Sequence, residues 1–169
     1  MTGFRIGHGY DVHRLVSGRP LVLGGVALDF DKGLEGHSDA DCAVHALCDA
    51  ILGAAAAGDM GRHFPSGDPR WKGASSLTFL TEVVRLAAER RLGVRNADLT
   101  VIAEAPRLAP HLERMRAVLS SAMGIDPACV SVKCKSTDGL GSIGRGDGIA
   151  ALATVLLGAV GEDETRRWT

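Results

Sequence analysis

The stretch "HSDADCAVHALCDAILGAAAA", residues 37–57, predicts the helix on which the rest of the fold depends. Its alanine content and apolar spacing are typical of a helix that packs against other elements. Asp41, His45 and Asp49 follow one another at steps of four and form a single polar stripe on it. An exposed helix face would normally carry Lys, Arg or Glu as well, and this stretch contains none of them. The stripe is either a solvated face or a functional one, and its composition favours function.

A second polar pair precedes the helix, in "GYDVHRL", residues 9–15. In a strand, side chains two apart point to the same face, so Asp11 and His13 are expected to lie side by side. Alone, the pair is either a polar strand end or half of a metal site. Together with His45 it makes a set of three N and O donors with a fourth position open, which is typical of a catalytic divalent ion, most simply zinc. Asp49, one turn beyond His45, is the candidate group to orient that imidazole.

The start of the helix offers a second kind of site. A helix N-terminus presents free N–H groups and the positive end of the helix dipole, so the His37-Ser38 pair just before it could bind a phosphate. The alternative is simple capping, for which Ser38 or Asp39 has a suitable side chain.

The segment "KSTDGLGSIGRGDG", residues 135–148, contains the spacing of a dinucleotide-binding fingerprint. We reject that interpretation because the fingerprint requires a helix after the glycines, and "GIAALATVLL" predicts a strand. Ser136, Thr137 and neighbouring amides could instead hold phosphate oxygens, Asp138 a metal ion, and Arg145 an anion. A glycine-rich hairpin loop is the alternative.

The remaining elements indicate a single α/β (α+β) domain, with a mixed sheet covered by helices on one face. We expect the domain to span residues 1–160 and residues 161–169 to form a frayed tail. Strands are predicted at 4–10, 97–105, 129–136 and 148–160, a hairpin at 21–30 broken at Gly24-Gly25, helices at 75–93, stopped by Gly93, and at 109–124, and a loop at 58–73.

Composition excludes several classes of protein. The 169 residues carry a net charge of −1, and the basic residues are scattered, which argues against nucleic acid as a partner. No apolar run is long enough for a membrane span or a signal peptide, so we expect a cytoplasmic protein. The four cysteines have no metal-binding or disulfide-rich spacing and are interpreted as reduced residues, three of them in apolar surroundings.

Five segments closely resemble the 2-C-methyl-D-erythritol 2,4-cyclodiphosphate synthase family across residues 4–157. They are "GHGYDVHRL", "HSDADCAVHALCDAILGAAAAGDMG", "FPSGDPRWKGASS", "AEAPRLAPH" and "GLGSIGRGDGIAA", in the family's order and spacing. The resemblance implies a homotrimer with active sites at the subunit interfaces. It also implies conversion of 4-diphosphocytidyl-2-C-methyl-D-erythritol 2-phosphate to the cyclic diphosphate, with release of CMP, in the non-mevalonate isoprenoid pathway.

The resemblance also implies roles for individual residues. The zinc ligands fall on Asp11, His13 and His45, and a second divalent ion, magnesium or manganese, on Asp138. His37 and Ser136 match positions that stabilise the transition state. The substrate contacts comprise Asp11, His13, His37, Ser38, Asp59, Met60, Gly61, Phe64, Pro65, Ser66, Gly67, Asp68, Ala103, Glu104, Ala105, Pro106, Arg107, Leu108, Ala109, Lys135, Ser136, Thr137, Asp138, Ser142 and Arg145.

Two other functions fit the same residues. A zinc phosphoesterase would use the three zinc ligands to activate water and would release a linear product. A non-catalytic trimer that binds nucleotides or isoprenoid phosphates would keep its ligand without metal.

Overall fold

The chain folds around a mixed β-sheet, and the computed structural model describes residues 3–161. The strands are β1 (Arg5–Ser17), β2 (Leu21–Leu23), β3 (Val26–Leu28), β4 (Lys32–Leu34), β5 (Leu92–Ile102), β6 (Val130–Lys135) and β7 (Gly148–Ala159). The helices are α1 (Cys42–Ala54), α2 (Met60–His63), α3 (Ser76–Ala88), α4 (Leu112–Met123) and α5 (Gly141–Gly144). Of the predicted frayed tail, all but residue 161 lies outside the described residues. Every helix among residues 3–161 is too short or too polar to cross a membrane.

The main sheet has the strand order β4-β1-β7-β5-β6, and β2 pairs with β3 in a separate hairpin. Neighbouring strands are antiparallel except for the parallel β5–β6 pair. The register places Asp11 opposite Ala151 and His13 opposite Ile149. The predicted mixed sheet with helices is therefore confirmed.

The two faces of the sheet differ in what covers them. Helices α1, α3 and α4 pack on one face, where the buried side chains of β5 and β7 point. On the other face, Phe4, Ile6, Tyr10 and Val12 remain exposed among the described residues. Three of these side chains lie on β1 and Phe4 directly precedes it, and such a row of large apolar groups is unusual for a solvated surface.

Helix α1 lies directly on the backbone of β1 at two glycines. A Cβ at Gly7 would lie 1.8 Å from Ala50 O, and one at Gly9 would lie 2.0 Å from Ala46 O. Only glycine permits this approach, and only a helix with small residues on that face fits against it. The alanine-rich stretch 37–57 therefore brings α1 close enough to β1 for side chains of the two elements to meet.

The N-cap of α1 is Asp41, so the prediction of Ser38 or Asp39 was wrong. Asp41 Oδ1 accepts hydrogen bonds from the N–H groups of Ala43, at 3.1 Å, and Val44, at 3.2 Å. Its carboxylate also accepts from Gly24 at 2.9 Å and Gly25 at 2.7 Å, at the turn between β2 and β3.

These four N–H groups hold a carboxylate that is fully buried. Burial raises the pKa of Asp41 to about 6, although the N–H groups of Gly25, Gly24 and Val44 act in the opposite direction. The carboxylate thus joins the β2–β3 hairpin to the start of α1.

Other predicted boundaries also need correction. Helix α3 ends at Ala88 rather than at Gly93, because Arg91 adopts a left-handed backbone (φ 58) and starts the turn into β5. Gly93 then pairs with Gly158 inside the sheet. The predicted loop at 58–73 contains α2 and a 3-10 turn at Pro69–Trp71, and β1 extends beyond the predicted residue 10, to Ser17.

Candidate metal centre

The two polar segments identified in the sequence meet where α1 crosses β1. Asp11 Oδ2 lies 3.0 Å from His13 Nε2 and 3.0 Å from His45 Nδ1. The two imidazole nitrogens are 3.2 Å apart. Among residues 3–161, these three form the one group of His, Cys, Asp or Glu side chains that could hold a metal ion. The expectation that Asp11 and His13 share a face is confirmed.

The triangle of ligand atoms has the size that a zinc ion requires. A tetrahedral ion with ligand bonds of about 2.0–2.1 Å has ligand atoms about 3.3 Å apart. The separations of 3.0–3.2 Å found here come close to that value. An ion held by these three side chains in tetrahedral geometry would have its fourth position open.

The backbone selects the tautomer of His13. Its Nδ1 lies 2.6 Å from the carbonyl oxygen of Glu35, which can only accept, so Nδ1 carries the proton. Nε2, which faces Asp11 and His45, is then the nitrogen that would bind a metal ion after losing its proton.

Charge at the cluster favours an ionised carboxylate. Burial alone would raise the pKa of Asp11, but hydrogen bonds and charge from His13 and His45 outweigh it and hold that pKa well below its usual range. For His13, burial acts to lower the pKa, and the hydrogen bond and charge of Asp11 raise it overall. A cation bound in the triangle would replace the histidine protons in stabilising the negative charge of Asp11.

Asp49, predicted to orient His45, makes a different contact. Its Oδ1 accepts from the N–H of Met60 at 2.8 Å, because the next turn of α1 faces α2. Burial raises the pKa of Asp49 despite this hydrogen bond. Within the described residues, the hydrogen bonds of the His45 ring go to Asp11, His13, Ser38 and Ser76. Sequence reasoning missed Ser76, for which "SS" at 75–76 signalled only a helix start.

The predicted phosphate site at the start of α1 is not supported. The N–H groups of Ala43 and Val44 are occupied by Asp41, and that of His45 bonds to Asp41 O. His37 and Ser38 lie in the turn before the helix. His37 Nε2 is 3.1 Å from Asp68 O, so this turn contacts the loop between α2 and α3.

Residues 59–61 and 64–68, in α2 and on both sides of it, form a further group of those expected to contact the substrate. Asp59 caps α2 through the N–H of Arg62, at 3.0 Å, and Asp68 pairs with Arg70. Phe64 stacks on Phe79 with ring centroids 4.8 Å apart. The intervening residues Pro65, Ser66 and Gly67 are exposed.

A second candidate region lies at the end of β5 and β6. A pocket of 240 Å³ is lined by Ala103, Glu104, Pro106, Arg107, Leu108, Ala109, Cys134, Lys135 and Ser136. The N–H of Ala103 donates to Lys135 O at 2.9 Å, so the two segments are joined. The parallel β5–β6 pair therefore brings together segments that are some 30 residues apart in the chain.

The glycine-rich segment adds a turn next to this pocket. Asp138 has a left-handed backbone (φ 53), and its Oδ1 accepts from Ser136 Oγ at 3.0 Å. Ser142 lies in the single turn α5, and Arg145, just after it, pairs with Asp147 at 3.2 Å. A strand follows at Gly148, as predicted, so the rejection of a dinucleotide fingerprint is confirmed.

Comparison with known proteins agrees with this architecture. The sequence model of the YgbB family matches residues 4–158. The chain is 58% identical over 153 residues to 2-C-methyl-D-erythritol 2,4-cyclodiphosphate synthase of Desulfosudis oleivorans, covering 90% of this chain and 91% of the relative. It is 58% identical over 153 residues to the enzyme of the same name from Laribacter hongkongensis, covering 90% and 94%.

Solved structures have the same fold. The bifunctional IspDF from Campylobacter jejuni superposes with a TM-score of 0.90 at 36% identity, over 94% of this chain and 43% of that one. A CDP complex of IspF from Plasmodium falciparum gives 0.83 at 32% identity, over 95% and 99%. The match over most of the sequence and the shared fold together show that this chain belongs to the YgbB family.

Proposed function

We propose that this protein converts 4-diphosphocytidyl-2-C-methyl-D-erythritol 2-phosphate to 2-C-methyl-D-erythritol 2,4-cyclodiphosphate and releases CMP, in the non-mevalonate isoprenoid pathway. The observation that carries the proposal is the triangle of Asp11, His13 and His45, which fits a zinc ion with one vertex open. Its family relatives with 58% identity bear the name of that synthase.

The pocket beside β5 and β6 is the proposed cytidine site. All of residues 103–109 except Ala105 line it, and backbone groups of this segment are the proposed hydrogen-bond partners of the pyrimidine ring. Lys135 and Ser136 line the same pocket, so the diphosphate is expected to lie along residues 135–138. Solved family members with bound CDP support the choice of a cytidine nucleotide.

The methylerythritol end of the substrate is assigned to the loop between α1 and α3. Residues 59–61 and 64–68 are its proposed contacts, with Ser142 and Arg145 as further ones. His37 holds the backbone of Asp68 and lies on the turn next to Ser38, so substrate contacts here are coupled to the segment beside the metal centre.

The proposed reaction is an intramolecular phosphoryl transfer. An oxygen of the 2-phosphate attacks the β-phosphorus, the bond from that phosphorus to the oxygen of the α-phosphate breaks, and CMP leaves with the bonding electrons. No protein nucleophile is required. Holding two anionic groups together is the main task, and good positioning contributes about 7–11 kcal/mol relative to a free encounter.

Three kinds of protein group share that task. Asp11, His13 and His45 would hold zinc, which supplies Lewis-acid polarisation of a phosphoryl oxygen when bound. Asp138 would hold magnesium or manganese at the diphosphate. His37 and Ser136 are assigned to donate hydrogen bonds where charge accumulates in the transition state.

Replacing Asp138 by alanine is expected to lower CMP release by about 100-fold or more, because the second cation loses its protein ligand. Zinc content, measured by atomic absorption, should stay at the wild-type level. Asp29→Ala, at an exposed acidic residue after β3, is the matched control. Unchanged dependence on magnesium or manganese in Asp138→Ala would contradict this assignment.

Phosphorus NMR of the substrate with purified protein, zinc and magnesium tests the proposed reaction. A cyclic diphosphate together with free CMP is the expected result. A linear product containing oxygen from labelled water would indicate a zinc phosphoesterase instead. Binding of the substrate by metal-stripped protein, with no CMP after zinc is added back, would indicate a binding module.

The exposed face of the sheet supports assembly as a homotrimer, with active sites completed between subunits. Ile6 is 75% exposed, Tyr10 54% and Val12 47%, a surface that a second copy of the chain would cover. We expect light scattering to give three chains per particle and Ile6→Glu to give monomers. Arg114→Glu, at an exposed position on α4, should leave the trimer intact. A monomeric wild-type protein would refute the assembly.

The cytoplasm is the proposed location. Cys42 and Cys48 are buried in the core and burial raises their thiol pKa values well above the ordinary value, so they act as small apolar residues. This agrees with the location expected from the sequence.

A further inference from the structure

His45 is connected to a second polar group on the side away from the metal centre. Its Nε2 lies 2.9 Å from Ser76 Oγ, and Ser76 Oγ donates to Asp39 Oδ1. Ser76 is the first residue of α3 and is fully buried. The chain of groups Asp39–Ser76–His45 thus links α3 and the turn before α1 to one ligand of the proposed site.

The carboxylate of Asp39 receives three donors. Besides the Ser76 hydroxyl, it accepts from the N–H of Ser76 at 3.0 Å and from the N–H of Asp41 at 3.3 Å. An ionised carboxylate can only accept, so the single hydroxyl proton of Ser76 points toward Asp39. The lone pairs of Ser76 Oγ are then left to accept from His45.

This arrangement gives His45 Nε2 an acceptor for a proton. Because Ser76 Oγ accepts, Nε2 donates to it, and Nδ1 can release its own proton to a metal ion without leaving the ring unprotonated. Nδ1 is the atom that lies 3.0 Å from Asp11 Oδ2. Ser38 Oγ is 3.4 Å from Nε2 and already accepts from Ala40 N, at 3.1 Å, so it is the weaker partner.

We propose that Ser76 and Asp39 are positioning residues that hold His45 as the Nε2-protonated tautomer and so prepare its Nδ1 to bind metal. The inference rests on the proposed metal site. The role parallels that of the Glu35 carbonyl for His13, but it is carried by side chains and can be removed by substitution. The sequence contains no local pattern for it, since Ser76 and His45 are 31 residues apart.

Zinc affinity of the full-length protein, measured by competition with a chromophoric chelator, is the first test. Ser76→Ala should weaken it by about 10- to 100-fold, the effect typical of losing a group that orients a metal-bound histidine. Asparagine has the same size as aspartate, but its NH2 group would face one of the three donors. The zinc affinity of Asp39→Asn should therefore also fall. Circular dichroism should show that both variants are folded.

Ser75→Ala is the matched control. Ser75 is the N-cap of α3, adjacent to Ser76, and its Oγ accepts from Leu77 N at 3.4 Å. Loss of this cap should lower the melting temperature, while zinc affinity should match that of the wild type.

The tautomer itself provides a readout that needs no metal. In metal-free wild-type protein with 15N-labelled histidine, Nε2 of His45 should carry a proton, because Ser76 accepts it. In Ser76→Ala this acceptor is lost, and the ring should shift toward the tautomer protonated only at Nδ1, which donates to Asp11.

The outcomes separate the two proposals. If the wild-type protein binds no zinc, the metal centre is refuted and this inference with it. If the wild-type protein binds zinc and Ser76→Ala binds it equally well with an unchanged tautomer, the metal centre stands and the positioning role is refuted.

Discussion

His45→Ala is expected to lose zinc and to release CMP at least about 1000-fold more slowly, a loss of several kcal/mol of transition-state stabilisation. His45 is the ligand that α1 contributes, and without it only the two neighbouring side chains of β1 remain. Metal content by atomic absorption and CMP release by chromatography give the two readings.

The variant should remain folded, because Ala46 and Ala50, which pack on the glycines of β1, are unchanged. His111→Ala, in the 3-10 turn before α4, is the matched control and should keep zinc and activity. One zinc ion per chain and full turnover in His45→Ala would show that the cluster has been assigned wrongly.

Gly9→Ala is expected to destabilise the fold by about 3 kcal/mol or more, at the upper end of overpacking effects. The added Cβ would lie 2.0 Å from Ala46 O, and a backbone atom within a helix cannot move aside without shifting the helix. A shift of α1 would also carry His45 away from Asp11, so zinc affinity should fall together with stability. Urea unfolding and chelator competition measure the two effects.

Gly53→Ala provides the opposite case within α1. A Cβ there meets nothing within 4 Å, so the substitution should raise stability by about 0.5–1 kcal/mol through helix propensity alone. If Gly9→Ala proved as stable as the wild type, α1 would not rest on the strand as described.

Local patterns predicted the parts of the site that depend on a single element. Alternation in a strand placed Asp11 and His13 on one face, and the alanine-rich stretch predicted a helix carrying His45. That these three side chains meet could be seen only in the structure, because the sequence does not indicate which strand a helix will cross. The role that the family resemblance gives to Asp138 stays a prediction.

The misses have a common physical cause. Ser38, Asp39 and Asp41 are all good capping residues. Asp41 is selected by a hairpin 16–17 residues earlier in the chain, whose Gly24 and Gly25 N–H groups bind its carboxylate. In the same way, β5 begins before its predicted start because β7 continues to pair with it, from Leu92 opposite Ala159 onward.

The contact of α1 with Gly7 and Gly9 has a consequence for the chemistry. Because α1 packs directly on the main chain of β1, no side chain lies between them that could change rotamer, and the two elements move as one rigid body. The distances among the three ligand side chains are therefore set by the backbone, and the cation site is preorganised before an ion binds.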